Sequence, residues 1–137
     1  MYRSRRFPGH ADQLPDVEGF VRAVVEPGDA DTAAAIAVAL ADNAIRHTDS
    51  GLPGGTFEVQ IAVLDDTVQI RVDDAGSDSE PYRAPGDDGH GLARIVALGA
   101  TLKGLGGPSA RAMLATIPRT VPTGTIRRQT IDARGTR

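Results

Sequence analysis

Phe57-Glu58-Val59-Gln60-Ile61-Ala62-Val63-Leu64-Asp65-Asp66-Thr67-Val68-Gln69-Ile70-Arg71-Val72-Asp73-Asp74 is the stretch that decides how this chain folds. Phe57, Val59, Ile61 and Val63 alternate with Glu58 and Gln60, and Val68, Ile70 and Val72 alternate with Thr67, Gln69 and Arg71. Successive side chains of a strand point to opposite faces, so each run has one apolar face and one wetter face. Asp65-Asp66 supplies a tight turn between them, and the whole reads as a hairpin with one side against a core. Continued alternation sends Asp74 to the buried face and Asp73 to solvent. A carboxylate entering a core needs hydrogen-bond donors, or protonation is favoured. Gly76, two residues on, allows close backbone approach and positive φ. A strand-ending Asp-x-Gly turn accounts for this pair by itself. A buried carboxylate beside glycine is also a good receptor for an amino group, such as the exocyclic amine of adenine.

Working outward, Arg3 to Phe7 reads as a short edge strand or an arm. Leu14, Val17, Phe20, Val21, Val24 and Val25 repeat at helical spacing, with Pro15 tolerable only in the first turn. This helix is expected to start between Asp12 and Leu14 and to end at Pro27-Gly28. Asp29 or Asp31 can cap a second helix that reaches His47 or Thr48, and Gly51-Leu52-Pro53-Gly54-Gly55 breaks the chain after it. Beyond the hairpin, a loop rich in Gly, Pro, Asp and Ser runs from Ala75 to His90. A short helix is expected over Gly91 to Leu98, then strands over Ala100 to Leu105 and Ala110 to Ile117. The order predicts an α+β domain: a two-layer α/β sandwich whose largely antiparallel, mixed sheet carries helices on one face. Residues 1–118 make that domain, and 119–137 read as a flexible tail rich in Arg and Thr.

Composition narrows the function. The 137 residues contain no cysteine, which excludes disulfides, thiolate metal sites and thiol catalysis. Trp is absent and there are only two Tyr and three Phe, so the core must rest on Val, Ile, Leu and Ala. No apolar run reaches membrane-spanning length and no signal-type apolar segment follows Met1, so a cytoplasmic protein without a membrane partner is expected. The net charge of −3 opposes a broad nucleic-acid surface.

Two further stretches carry chemistry. In Ala39-Leu40-Ala41-Asp42-Asn43-Ala44-Ile45-Arg46-His47-Thr48, helical geometry puts Leu40, Asn43, Ala44 and His47 on the same face as Ile36. A carboxamide on an apolar stripe costs roughly 1–3 kcal/mol unless its polar atoms find partners. On this helix alone a satisfied core or capping asparagine is the simpler account. Gly86-Asp87-Asp88-Gly89-His90-Gly91-Leu92 opens the third helix, and glycines there expose unpaired N–H groups at the positive end of the helix dipole, which suits phosphate. The stretch fits neither the dinucleotide fingerprint, with Arg94 in its sixth place, nor the Walker pattern, lacking Gly-Lys-Ser/Thr. A plain loop-to-helix glycine pair is the alternative.

Taken in order, the Asn43 helix, Val72-x-Asp74-x-Gly76 and Gly89-x-Gly91 resemble the asparagine box and two glycine boxes of the GHKL ATPases. That Bergerat ATP-binding fold is shared by heat-shock chaperones, type II topoisomerase ATPase domains, MutL and histidine kinases. The chain is most similar to the small stand-alone branch, anti-sigma factors with serine/threonine kinase activity of the RsbW and SpoIIAB kind. The resemblance runs from about Phe7 to Pro118 and includes Asn43-Ala44-Ile45-Arg46-His47-Thr48 and Gly89-His90-Gly91-Leu92.

The resemblance implies an ATP-binding regulatory protein acting by partner switching in transcription control. Its partners would be an anti-anti-sigma (STAS-like) protein, a sigma factor or both, and a homodimer is implied too. Asn43 would ligate Mg²⁺ on the ATP phosphates, Asp74 would accept from the adenine amine with Gly76 letting the ring lie close, and Gly89 and Gly91 would donate to phosphate. Arg46, His47, His90 and Leu92 complete the implied nucleotide-binding set. Two positions depart from the pattern. The Glu that usually precedes the Asn by one turn, as general base, is Ala39, so no catalytic residue is assigned. Asp42 does not simply replace it, since neighbouring helix residues point roughly 100° apart. The Thr common on the last strand near the adenine-binding Asp falls on Ala112. These departures keep an alternative open: a non-catalytic, pseudokinase-type binding module with a weak or vestigial pocket. A calcium loop built from Asp73, Asp74, Asp78, Glu80, Asp87 and Asp88 lacks the alternating spacing such loops need.

Overall fold

In the computed structural model, which describes residues 1–75, 90–106 and 111–120 (and of 90–92 the backbone alone), the elements follow the expected order. They are β1 (Tyr2–Pro8), α1 (Leu14–Val24), α2 (Pro27–His47), β2 (Thr56–Val63), β3 (Thr67–Asp74), α3 (His90–Ala97), β4 (Thr101–Gly106) and β5 (Arg111–Pro118). Short 3₁₀ turns at Ala11–Gln13 and Asp49–Gly51 precede α1 and follow α2. The five strands lie in the order β1-β2-β3-β5-β4, and every pairing among them is antiparallel. The sheet is therefore more regular than the mixed one expected. The chain is α+β, with a five-stranded sheet on one side and helices on the other.

Alternation in the hairpin produces this layering. Phe57, Val59 and Ile61 of β2 and Val68, Ile70 and Val72 of β3 are buried, while the residues between them are half-buried. The register sets Val59 against Val72 and Ile61 against Ile70, then Ile70 against Ala115 and Val72 against Met113. One continuous apolar face results, and α2 covers it with Ile36, Ala37, Leu40, Ala41 and Ala44. Alanine suits this role twice: it is the best helix former and keeps the helix close to its neighbours. All three Phe residues meet at the corner of β1, β2 and α1. Phe7 stacks on Phe57 with ring centroids 5.5 Å apart, and Phe20 meets Phe7 edge-on at 6.0 Å. Arg3 to Phe7 is thus an edge strand, tied to the sheet rather than a loose arm.

Pro27-Gly28 acts differently from expectation. It opens α2 instead of closing α1, which stops at Val24 with the Val25 amide bonded to the Val21 carbonyl. Proline in the first helical position gives up an N–H that has no partner there, and its fixed φ already suits the helix. The N-cap of α2 is Glu26, with no side-chain cap bond, so neither Asp29 nor Asp31 caps it. Asp29 sits inside the first turn, buried, and accepts from the Thr120 amide at 3.1 and 3.2 Å and from the Thr120 hydroxyl. Arg119 is buried beside it, donating to the Leu64 carbonyl at 2.8 Å and pairing with Glu26. The packed unit therefore continues past Pro118 through Thr120. No helix among the described residues is long and apolar enough to cross a membrane.

Candidate functional site

The end of β3 and the end of α2 meet through two hydroxyl side chains. Thr48, the C-cap of α2, donates its hydroxyl to the Ala44 carbonyl at 2.6 Å and accepts from the Ser50 amide at 3.1 Å. The Ser50 hydroxyl oxygen in turn accepts from the Ala75 amide at 2.9 Å. Ser50 is completely buried, and its carbonyl is hemmed in by glycine: a Cβ at Gly9 would lie 1.7 Å from that oxygen, and one at Gly55 2.3 Å from it. Only residues without a side chain let the ends of β1 and α2 and the start of β2 crowd this closely. The crowding fixes Ser50 against the end of β1 and the start of β2, and its hydroxyl reaches the residue after β3.

Asp74 closes β3 on the helix-covered face, buried at 9 % exposure, as the alternation requires. Asp73 takes the other face, where it accepts from Arg71 at 2.6 Å and from Gln60 at 3.2 Å. The Arg71 guanidinium is held above its ordinary range, first by this hydrogen bond, against the opposing effect of burial. Asn43 lies on α2, half-buried, on the same side of the sheet as Asp74. Arg46 points outward and donates to Asp42 at 3.2 Å, and His47, half-buried, is the last residue of α2. His90, Gly91 and Leu92 form the first turn of α3, one residue earlier than expected, and α3 packs against α2. Gly76 and Gly89, together with Asp78, Glu80, Asp87 and Asp88, lie outside the described residues.

Among the described residues, three depressions can be traced beside these elements. One, about 530 Å³, runs between α1 and α2 to Arg94 of α3, with Leu14, Ala34, Ala35, Val38 and Ala39 for its apolar lining. Glu18, Arg22, Asp31 and Asp42 complete its walls. Arg22 donates to Asp31 at 2.7 Å and to Glu18 at 2.9 Å, and these two bonds, Asp31's first, raise its pKa above the ordinary value. The second, about 430 Å³, is bounded by Arg6, Gly55, Glu58, Asp73 and Asp74, among others. The third, about 190 Å³, is lined by Arg71, Asp74, Leu105 and Arg111, among others. None of these three holds Asn43 together with Asp74.

The two positions that depart from the implied pattern can be placed in this geometry. Ala39 and Asp42 line one groove, because residues three apart share a helix face. A carboxylate therefore stands beside the position where the resemblance expects the base. Ala112 pairs with Asp73 rather than with Asp74, although it borders the same small depression as Asp74. The β5 residue opposite Asp74 is Arg111, buried at 9 % exposure. Sequence reading missed Ser50 and Arg111. Inward alternation of Met113, Ala115 and Ile117 would have reached Arg111, whereas no local pattern marks Ser50.

No model of a known protein family matches this sequence, and no curated protein matches it.

Proposed function

We propose that this chain is a nucleotide-binding regulatory protein of the cytoplasm, an ATP-dependent partner switch of the anti-sigma serine kinase type. The observation that carries the proposal is the Thr48–Ser50–Ala75 relay, which ties the helix bearing Asn43 to the strand ending in inward-facing Asp74. In this role Asp74 accepts from the adenine amine, with Gly76 beside the ring. Gly89 and Gly91, with His90 and Leu92, would offer backbone N–H groups to phosphate, as residues at helix starts do. Arg46 and His47 stand at the phosphate end. Among the described residues no three His, Asp or Glu side chains gather as a metal cluster. Asn43 would hold a Mg²⁺ ion by its side-chain oxygen, and the ion would supply positive charge at the ATP phosphates.

Phosphate would pass from ATP to a hydroxyl of a STAS-like anti-anti-sigma protein, and nucleotide state would set the choice between that protein and a sigma factor. Phosphoryl transfer depends mostly on positioning and charge, so the loss of Glu at Ala39 slows it without abolishing it. Isothermal titration with Mg-ATP tests the binding. Wild type should bind in the micromolar range, while Asn43→Ala and Asp74→Asn should each weaken binding. An absence of heat from wild type would overturn the proposal.

Ala39 and Arg111 favour a second reading, a non-catalytic binding module. Ala39 cannot accept a proton, and Arg111 places a cation across from the carboxylate meant for adenine. Micromolar Mg-ATP binding without transfer of labelled phosphate to a cognate partner would select it.

A further inference from the structure

We infer that Ser50 is a positioning residue of this cleft: its buried hydroxyl sets the direction in which the chain leaves β3, and with it the placement of Asp74 for the base of a nucleotide. The inference rests on the nucleotide reading and concerns a residue twenty-five positions away from the amide that it holds. Three observations meet at this side chain. Ser50 is completely buried, although it sits in a short turn between a helix and a glycine-rich break. Its oxygen receives the Ala75 amide at 2.9 Å, immediately after Asp74. Its own amide is bonded to Thr48, which is bonded to the Ala44 carbonyl, next to Asn43 in the helix.

A simple tie between helix and sheet would need no such placement, since α2 already packs directly on β3 through Leu40 and its apolar neighbours. The Ala75 amide is different from the ladder amides of β3. It is the first after the strand, and Ala75 is itself exposed, so water could satisfy the amide in other orientations. The serine hydroxyl selects one orientation. A change at Ser50 should therefore affect recognition of the base more than the packing of the domain, and should leave the phosphate end unaltered.

The test compares Mg-ATP with Mg-tripolyphosphate, which lacks the base, on the full chain by isothermal titration. Ser50→Ala should weaken ATP binding about tenfold, the scale of one lost hydrogen bond, and leave tripolyphosphate binding unchanged. In an Asp74→Asn background the same substitution should have no further effect, because residues acting through one another are not additive. Equal losses for both ligands, no loss for either, or full additivity with Asp74→Asn would overturn the inference while wild-type ATP binding stands. Absence of wild-type ATP binding would instead remove the nucleotide reading, and this inference with it. Should Ser50→Ala fail to fold, amide exchange in wild type decides. Mg-ATP, and not tripolyphosphate, should slow exchange at Ala75, and an unchanged Ala75 rate would overturn the proposal.

Discussion

Asp74 and Arg111 stand directly across from each other on β3 and β5, both buried and both on the face that the helices cover. Side chains directly opposite each other on neighbouring strands lie within reach of one another, so a guanidinium here can compete with a ligand for the carboxylate. Replacing Arg111 by Thr, the residue type implied by the resemblance for this neighbourhood, should strengthen Mg-ATP binding by about tenfold, the scale of one hydrogen bond. Titration of Arg111→Thr beside wild type checks this. Equal or weaker binding would show that Arg111 supports the pocket instead of competing for Asp74.

Ala39 and Asp42 share a groove, and only Asp42 carries a carboxylate. Restoring the missing group as Ala39→Glu should raise phosphoryl transfer or ATP hydrolysis by about 10²-fold or more, within the range of a positioned acid–base group. Asp42→Asn should lower whatever turnover wild type has, while binding of Mg-ATP stays within a factor of a few. Single-turnover assays with labelled ATP measure both. No gain in Ala39→Glu would locate the limitation outside proton transfer.

The clamp at the start of α2 holds the chain after β5. Asp29→Ala removes the acceptor of the Thr120 amide and hydroxyl at a buried position. Losing a buried acceptor of this kind costs about 1–3 kcal/mol, so thermal unfolding should begin several degrees lower. A truncation after Pro118 should show a drop at least as large, since it also removes Arg119. An unchanged midpoint in both would mean that these residues decorate the fold without stabilising it.

Much of this fold was legible in the sequence because one sheet face is buried. Once Phe57 to Asp74 alternate, a shift by one residue would expose every aliphatic, so strand identity and the inward direction of Asp74 follow together. Pro27-Gly28 was ambiguous for a physical reason: the same dipeptide can stop one helix or start the next, and only the position of the preceding turn decides. Local pattern also fails for Ser50. Its hydroxyl matters through an amide far along the chain, and a serine among glycines reads as ordinary loop. Arg111 was obscured because an arginine at an inward position contradicts the usual assignment of faces.

Gly9 packs against Ser50 with no room for a side chain. Gly9→Ala would bring a methyl group to 1.7 Å from a carbonyl oxygen, a distance no contact tolerates. The backbone must shift, and overpacking of this kind costs about 1–3 kcal/mol or more. Denaturant titration should show a lowered midpoint with unchanged slope. Wild-type stability in Gly9→Ala would mean that the junction of β1 and α2 is looser than its geometry implies.

Leu40 is the central side chain of the helix that covers the sheet, fully buried among the sheet aliphatics. Leu40→Ala should cost about 2–5 kcal/mol, the range for deleting such a side chain from a packed core. A comparable change at exposed Leu52 should be nearly silent. Equilibrium unfolding of the two variants side by side measures the contrast, and similar losses would contradict the layering.

β1 ends the sheet on one side, and Arg3, Arg5 and Arg6 lie along it, all exposed. Two such margins brought together would set guanidinium against guanidinium, so like-charge repulsion guards this flank against the open-ended strand stacking that leads to fibres. Added salt screens that guard. Self-association through the flank should accordingly rise with ionic strength, the reverse of what an attachment between opposite charges would do.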